Sequence, residues 1–400
     1  MNTNRHLHPL AIGLLAIAAA FVAPDAEADA ITDWNLKSGE LMTEAKLGTP
    51  PAVRLMAIVQ TAALQAVDAA QRQGLSADAA VAAAHRATLV KLLPAQQAAI
   101  DTAYQASLGR VPDSAARSGG VSVGEAAAQA VLEARLADGA ATPEAYRPVT
   151  RAGSYVPTVP VAVPQWAQRK PWLMASPAQF RPAPPPALRS EQWSRDFNEV
   201  QAYGGKTSDA RSADQTDAAR FWDYSLPAIY HGVVHSVAQQ PQRELARNAR
   251  LFAAVAQAMD DALIAVFDAK YHYLFWRPVT AIRNGDADGN DATNRDATWT
   301  SLIDAPMHPE YPSGHSILAS SVATLIDADL KDAAMPVLST TSPTAKGATR
   351  RWQRPDQFVR EVSDARVHGG IHFRSATDAA EAMGRRIGEL AAQRVLRATP

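Results

Sequence analysis

No cysteine occurs anywhere in the 400 residues. Disulfides, thiolate metal sites and cysteine nucleophiles are therefore excluded, and an oxidising compartment is tolerated without any covalent staple. Net charge is nearly absent as well, because 39 Lys and Arg stand against 40 Asp and Glu. Without a basic or acidic excess there is no global field to draw nucleic acid or an anionic membrane, and neither partner is expected. Any bound anion must be held by a local cluster of cations. Strand signals, meaning β-branched and aromatic residues alternating between turns, are scarce. Beyond the N-terminal segment no stretch is uniformly apolar over the roughly 18 residues a bilayer demands, so no stable membrane span is expected.

What the chain does have is helix. The apolar share, 47%, suffices for a large core. Residues 1–30 read as a secretory signal. Arg5, His6 and His8 precede an apolar stretch from Leu10 to Val22, and Ala26, Ala28 and Ala30 suit cleavage near residue 28 or 30. The expected location is exported, periplasmic or extracellular. Over residues 31–140 Leu55, Ile58, Val59, Ala62 and Ala66 recur at helical spacing, with Ala-rich segments around 78–92 and 122–138. Prolines crowd residues 141–190, including Pro182, Pro184, Pro185 and Pro186, and predict an extended strap or linker over the surface. Helical patterning dominates residues 191–400, most clearly over 244–267, from Ser313 to Ile326 and from Thr377 to Val395. The expected fold is all-α, a helical bundle with one Pro-rich irregular segment.

Chemistry gathers in three short segments. Lys270 and Arg277 lie seven apart, which on a continuing helix places them two turns apart on one face. Pro278 would limit that helix and set the guanidinium at its end. Most such pairs are solvated cations, but Tyr273, Leu274, Phe275 and Trp276 form an apolar run between these two, and cations in apolar surroundings need an anion. Next comes Pro312-Ser313-Gly314-His315, directly before a helical run. Ser313 reads as an N-cap, Gly314 lets backbone approach a ligand, and a helix N-terminus attracts oxyanions. His315 adds a titratable imidazole, although both side chains could serve merely as a cap and a surface residue. The third segment runs from Arg366 to His372, and its Gly369-Gly370 pair predicts a loop. A zinc pair of His368 and His372 is the rival there. The glycines disfavour the helix it needs, and no HExxH glutamate is present. Together Lys270, Arg277 and Arg366 match the charge of a phosphate-like oxyanion, each close pair contributing on the order of 4 kcal/mol before desolvation. His372 is then free to approach the central atom, with His315 opposite.

In this order the segments resemble the signature shared by vanadium-dependent haloperoxidases and type-2 phosphatidic acid phosphatases: K-x6-R-P, P-S-G-H and R-x5-H, with all nine fixed positions matched. The stretches Trp276–Arg283 and His308–His315 are similar to the bacterial haloperoxidase branch. The resemblance spans roughly Lys270 to His372 and implies a helical bundle of that type. It implies that Lys270, Arg277, Ser313, Gly314 and Arg366 hold vanadate or phosphate. It implies that His372 is the axial vanadium ligand, or the nucleophile of a phosphatase, and that His315 is the general acid–base. One pocket suits both because vanadate mimics the geometry of phosphoryl transfer.

The preferred expectation is a haloperoxidase with vanadate as cofactor, acting on hydrogen peroxide and halide. The alternatives are an exported acid phosphatase that takes phosphomonoesters through a phosphohistidine, and a non-catalytic helical anion-binding protein. His308 and Phe267 are the halide-tuning candidates. In the family the position of His308 is phenylalanine in chloroperoxidases and often histidine in bromoperoxidases, while Phe267 stands where chloroperoxidases carry tryptophan. Bromide is therefore expected. Relatives often assemble, so the resemblance is compatible with a homo-oligomer. One departure is that the family commonly places an aspartate four residues after the axial histidine, where this chain has Ala376. Asp378 is close, but Ser375 and Asp378 have the spacing of a capping box for the last helix, which leaves the carboxylate orienting His372 unassigned. A calcium loop at Asp286, Asp288 and Asn290 fails at Asp291 and Ala297, so a polar surface turn is expected. His231, His235 and His272 read as core-edge residues.

Overall fold

The computed structural model describes residues 29–397; the signal stretch Leu10–Val22 lies outside the described residues. Five helices come first: α1 (Ala30–Glu44), α2 (Thr49–Arg72), α3 (Ala77–Leu92), α4 (Gln97–Gly109) and α5 (Ala115–Ala134). A long irregular segment follows, then α6 (Glu191–Tyr203), α7 (Ala213–Phe221), α8 (Pro227–Ala238), α9 (Leu245–Tyr273) and α10 (Pro278–Arg283). The last part holds α11 (Gly314–Leu330), an antiparallel hairpin of β1 (Leu338–Ser342) and β2 (Ala348–Trp352), α12 (Pro355–His368) and α13 (Arg374–Ala391). The all-α expectation holds, and the hairpin is the one extended element among the described residues that the sequence did not announce.

Helix α9 is the axis of the molecule. Every residue from Leu251 to Phe267 is buried, as befits a helix that is apolar all round. It packs on α2 from the N-terminal half and on α11 and α13 from the C-terminal half. One continuous apolar cluster therefore reaches from Ile31 to Val395. Helix α2 is long and apolar enough to cross a bilayer, but most of it is buried here against α3, α5 and α9. Helices α11 and α13 touch almost backbone to backbone: a Cβ on Gly384 would lie 2.4 Å from the Ile317 carbonyl oxygen. A larger residue there would drive apart the two helices that flank the Ser313 turn.

The Pro-rich segment is a strap, as expected, yet it is not confined to the surface. Trp166, Leu173 and Met174 enter the core, and Arg169 is fully buried. Its guanidinium donates to Asp260 of α9 at 2.6 Å and to Asp138 at 2.7 Å. Asp261 accepts the backbone N–H groups of Trp172, Leu173 and Met174 at 2.6, 2.8 and 2.9 Å. Burial pushes the Asp261 carboxyl up to about 6 despite those three donors. Two adjacent aspartates in the middle of a buried helix thus bind the strap to it, because neither can be left unpaired in the core.

Four local expectations need correction. Helix α9 runs to Tyr273 and stops with Leu274 at φ 53°, so Arg277 lies beyond it as the N-cap of α10 and shares no helix face with Lys270. No capping box forms at α13; its Ser375 N–H is instead taken by Asp196 of α6 at 3.1 Å, and Asp378 is exposed. His231 and His235 lie inside the core and bond Asn35 at 2.9 and 3.0 Å, whereas His272 is exposed. The turn at Asp286–Asn290 is not wholly superficial, since Asp288 is buried and accepts from Trp193 Nε1 at 2.7 Å and from Thr293 at 2.9 Å.

Candidate active site

The three chemical segments converge at one end of the bundle. Lys270 comes from the last turn of α9, Arg277 from the α9–α10 corner and Ser313 to His315 from the N-terminus of α11. Arg366 sits near the end of α12, and His372 lies in the turn before α13. The double glycine does end a helix, but Arg366 lies inside α12 and not in the loop. Gly370 adopts φ 76°, and a Cβ there would fall 2.3 Å from the Gly204 carbonyl oxygen. Only glycine turns the chain so closely against α6 and still delivers His372 to the site.

Lys270, Arg277 and Arg366 are each no more than 1% exposed. Lys270 donates to the carbonyls of Pro309, Glu310 and Pro312 at 2.9, 2.7 and 2.5 Å. Burial, then Arg277, press its pKa well down. Three carbonyl acceptors nevertheless require three hydrogens, so the loop holds the ammonium form. Lys270 thus shapes the 309–312 loop and brings charge, with no hydrogen left over for direct donation. Arg277 is committed in a similar way. It donates to the carbonyls of His308 and Ile371 at 3.0 and 2.7 Å and approaches His308 Nδ1 at 2.9 Å and His372 Nε2 at 3.3 Å. Arg366 differs: it donates to the Trp222 carbonyl and keeps a buried Nε–H with no partner. Burial lowers both arginines to about 10.

The carboxylate that orients His372 is Glu310, which sequence reasoning passed over. Glu310 is fully buried. Its Oε1 lies 2.8 Å from His372 Nδ1 and accepts the Phe373 N–H at 2.9 Å. That contact fixes Nδ1 as the N–H end and leaves the lone pair on Nε2, the end beside Arg277. Burial raises the Glu310 carboxyl to about 7, opposed by Arg277 and Lys270, and its Oε2 has no partner. The signal was a glutamate inside the proline-bounded His308–His315 stretch, where an acid has no solvent to serve. Ala376, four residues after His372, contributes its carbonyl, which accepts the Ser313 N–H at 3.0 Å.

His315 is half-buried with an unpartnered Nε2. Burial, then Arg366, keep its pKa well below the ordinary histidine value, with the Tyr224 and Trp222 backbones pulling the other way. His372 is held down by burial, then by Arg277 and Lys270. His308 packs edge-to-face on Phe267 at 5.2 Å, so the two halide candidates touch each other and, through His308, Arg277. His368 packs on Tyr203, 5.7 Å between rings, and no cluster among the described residues has a conventional metal-ligand set. Space beside Gly314 is open, with nothing within 4 Å of where a Cβ would sit. Three buried cations outnumber one buried carboxylate, three polar atoms (Arg366 Nε, His315 Nε2 and Glu310 Oε2) lack partners, and there is room at a helix N-terminus. The arrangement fits an oxyanion.

Fold and site together describe a helical bundle whose buried cationic pocket has the chemistry to fit an oxyanion, and known proteins share features of it. Residues 250–399 match the family model of the VCPO second helical-bundle domain. Vanadium chloroperoxidase of Curvularia inaequalis is 30% identical over 174 residues, covering 36% of this chain and 29% of that protein. This chain thus matches less than a third of the curated relative's length. A bacterial vanadium-dependent iodoperoxidase superposes with a TM-score of 0.77 at 23% identity, covering 91% of this chain and 96% of the other. The apo form of a bacterial vanadium-dependent chloroperoxidase gives 0.71 at 20% identity, covering 87% and 94%. Most of the chain thus shares the fold of these solved structures, and residues 250–399 are similar to the second helical-bundle domain of that family.

Proposed function

We propose that this chain is a vanadate-dependent haloperoxidase that oxidises halide, bromide in preference, with hydrogen peroxide. The observation that carries the proposal is the Glu310–His372–Arg277 line. A buried carboxylate fixes the imidazole tautomer, and the Nε2 lone pair faces the Arg277 guanidinium, on the side where the cations gather. Vanadate, when bound, supplies a Lewis-acidic centre that activates peroxide. The protein's part is to hold it and to manage protons. His372 Nε2 is the atom suited to hold the central atom. Arg366 Nε–H and the Ser313–Gly314 turn are suited to the oxygens, while Lys270 and Arg277 neutralise charge from fixed positions. His315 is neutral at ordinary pH, so its Nε2 can take a proton from a substrate oxygen and return it. An anion in the pocket would favour the protonated form of His315, opposing the depression it shows without one.

His308 and Phe267 support the bromide preference by setting beside the arginine a neutral imidazole that is itself backed by a phenyl ring. Export is part of the same proposal and rests on the N-terminal residues alone. The test is bromide-dependent halogenation of an indicator dye by metal-stripped protein, before and after addition of vanadate, beside hydrolysis of an aryl phosphate. Halogenation restored by vanadate and abolished in His372→Ala is the expected result. Phosphatase turnover that vanadate inhibits, without halogenation, would overturn it in favour of the phosphohistidine reading.

A further inference from the structure

Behind Ser313 a row of hydroxyls leads away from the pocket toward α13. Ser316 Oγ lies 3.0 Å from Ser313 Oγ, Ser363 Oγ lies 3.1 Å from Ser316 Oγ, and Glu381 Oε1 lies 2.5 Å from Ser363 Oγ. The three serines are at most 2% exposed, and they come from α11 and α12. Glu381, on α13, is half-buried and borders a surface cleft of about 500 Å³. The row therefore joins the oxyanion pocket to solvent on another face of the bundle. Ser316 and Ser363 show no other hydroxyl partner among the described residues.

Hydrogen counting makes this row directional. Four oxygens in line make three contacts, and each contact needs one hydrogen. With Glu381 ionised, Ser363 donates to it, Ser316 donates to Ser363 and Ser313 donates to Ser316. Ser313 then has no hydrogen for a ligand. For Ser313 to donate to an oxyanion while every contact keeps its hydrogen, the whole row must reverse, so that Ser316 donates to Ser313 and Ser363 to Ser316. The third contact then needs the hydrogen of a protonated Glu381. Without that proton one contact of the row, between 2.5 and 3.1 Å long, is left as two acceptor oxygens facing each other, which is costly in a buried place.

We infer that Glu381 is a positioning residue for the anion site, and that binding of an oxyanion to Ser313 is coupled through Ser316 and Ser363 to uptake of one proton from water by Glu381. The inference rests on the oxyanion reading of the pocket. No covalent bond changes; a solvent proton is added to the carboxylate and three hydroxyl hydrogens swing over. Other charges face Glu381 from each helix packed there. Helix α12 presents Asp356, Arg360 and Asp364, and α11 presents Asp327. From its own helix come Asp378 and Arg385, together with Arg374, which is held by Asp364 at 2.5 Å and by Glu199 at 2.6 Å. None of these enters the row.

The test uses the full chain free of vanadate and sulfate as the probe, since sulfate keeps its charge over the whole range. Calorimetry in buffers of different ionisation enthalpy gives both affinity and protons taken up, from about pH 5 to about pH 8. Two variants are compared with the wild type. Glu381→Gln offers Ser363 a permanent donor. Ser363→Ala keeps the carboxylate but cuts the row, freeing Ser316 to donate to Ser313. Both are expected to bind sulfate about five- to tenfold more tightly than wild type at the alkaline end, the worth of one hydrogen bond, and to converge with it in acid. Both should also lose one coupled proton. Because the expected change is a gain, poor folding cannot imitate it. If Ser363→Ala follows the wild type while Glu381→Gln binds more tightly, simple charge repulsion is at work and the relay is overturned. If both follow the wild type it is overturned as well. If the wild type binds no sulfate at any pH, it is the oxyanion reading that fails.

Discussion

Replacing Glu310 by Gln separates orientation from charge at the heart of the site. The substitution keeps the shape, and the amide oxygen can still accept from His372 Nδ1 and the Phe373 N–H, which the carboxylate now holds at 2.8 and 2.9 Å. Two effects then oppose each other. Losing a negative charge beside Arg277 and Lys270 strengthens attraction for any anion. Losing a charged acceptor weakens the grip on the imidazole and the basicity of Nε2, by roughly 1–2 kcal/mol. Single affinities therefore decide little. The ratio of two affinities decides more. Vanadate can accept a bond from His372 Nε2 and phosphate does not. At alkaline pH both are mainly dianions, and Glu310, raised to about 7, is ionised in the wild type. The charge effect then cancels in the ratio. Loss of a group that orients a metal ligand lowers affinity by about 10- to 100-fold, or roughly 1.4–2.7 kcal/mol. The preference for vanadate over phosphate, read by competitive calorimetry, should fall by that factor. A ratio unchanged within about twofold, with both affinities moving together, would show that Glu310 acts by charge alone and would remove His372 as the ligand.

Arg366→Met should cost phosphate about 100-fold or more in affinity, since a buried charged donor is lost; in the wild type, phosphate at about 100 times its Kd should raise the melting temperature by a few degrees, about 2.7 kcal/mol, and the variant should show no such rise. Asp261→Asn should destabilise the chain by about 2–3 kcal/mol in urea, because three backbone N–H groups of the strap lose a charged acceptor. Acid should unfold the protein early. Burial lowers His85 and His235 to about 4 and His231 to about 3. A depressed folded value means the stability is present above the unfolded value of about 6.5 and is lost as pH falls toward the folded one, about 3 kcal/mol per fully expressed shift. Glu310 and Asp261, with raised values, act in the reverse sense from about pH 4 upward, yet they are outnumbered. A urea midpoint that rises from neutral pH toward about pH 4 would refute this sum. His308→Phe should lower bromide kcat/KM by about tenfold relative to that for peroxide, and an unchanged value would remove the halide role.

The site was legible because its residues are chemically out of place in their surroundings: cations beside Phe275 and Trp276, a Ser-Gly pair before an apolar helix, two glycines before His372. Each has an ordinary explanation alone, as a solvated cation, a helix cap or a loop, and it is their combination that calls for a ligand. What sequence could not give was the partner of each group. Glu310 stands 62 positions before His372 in the chain, and a search near His372 could not meet it. The strap failed for a related reason. Prolines correctly excluded helix, but composition does not say that Arg169 reaches Asp138 and Asp260; the one hint was the Asp260-Asp261 pair that interrupts the apolar run of α9. Helix positions came from periodicity, whereas the end of α9 was set by a left-handed Leu274 that no pattern marks.

The burial of α9 on every side has a consequence for how this molecule can be divided. The segment recognisable as a bundle domain begins at residue 250, inside that helix, whose other neighbours belong to the first half of the chain. Expressed by itself, such a fragment would show water a flank built of Ala, Leu, Val and Phe, and would clump or melt instead of forming a smaller working unit. Whatever history joined the two halves, the later piece is now half of a single sandwich and has no crust of its own.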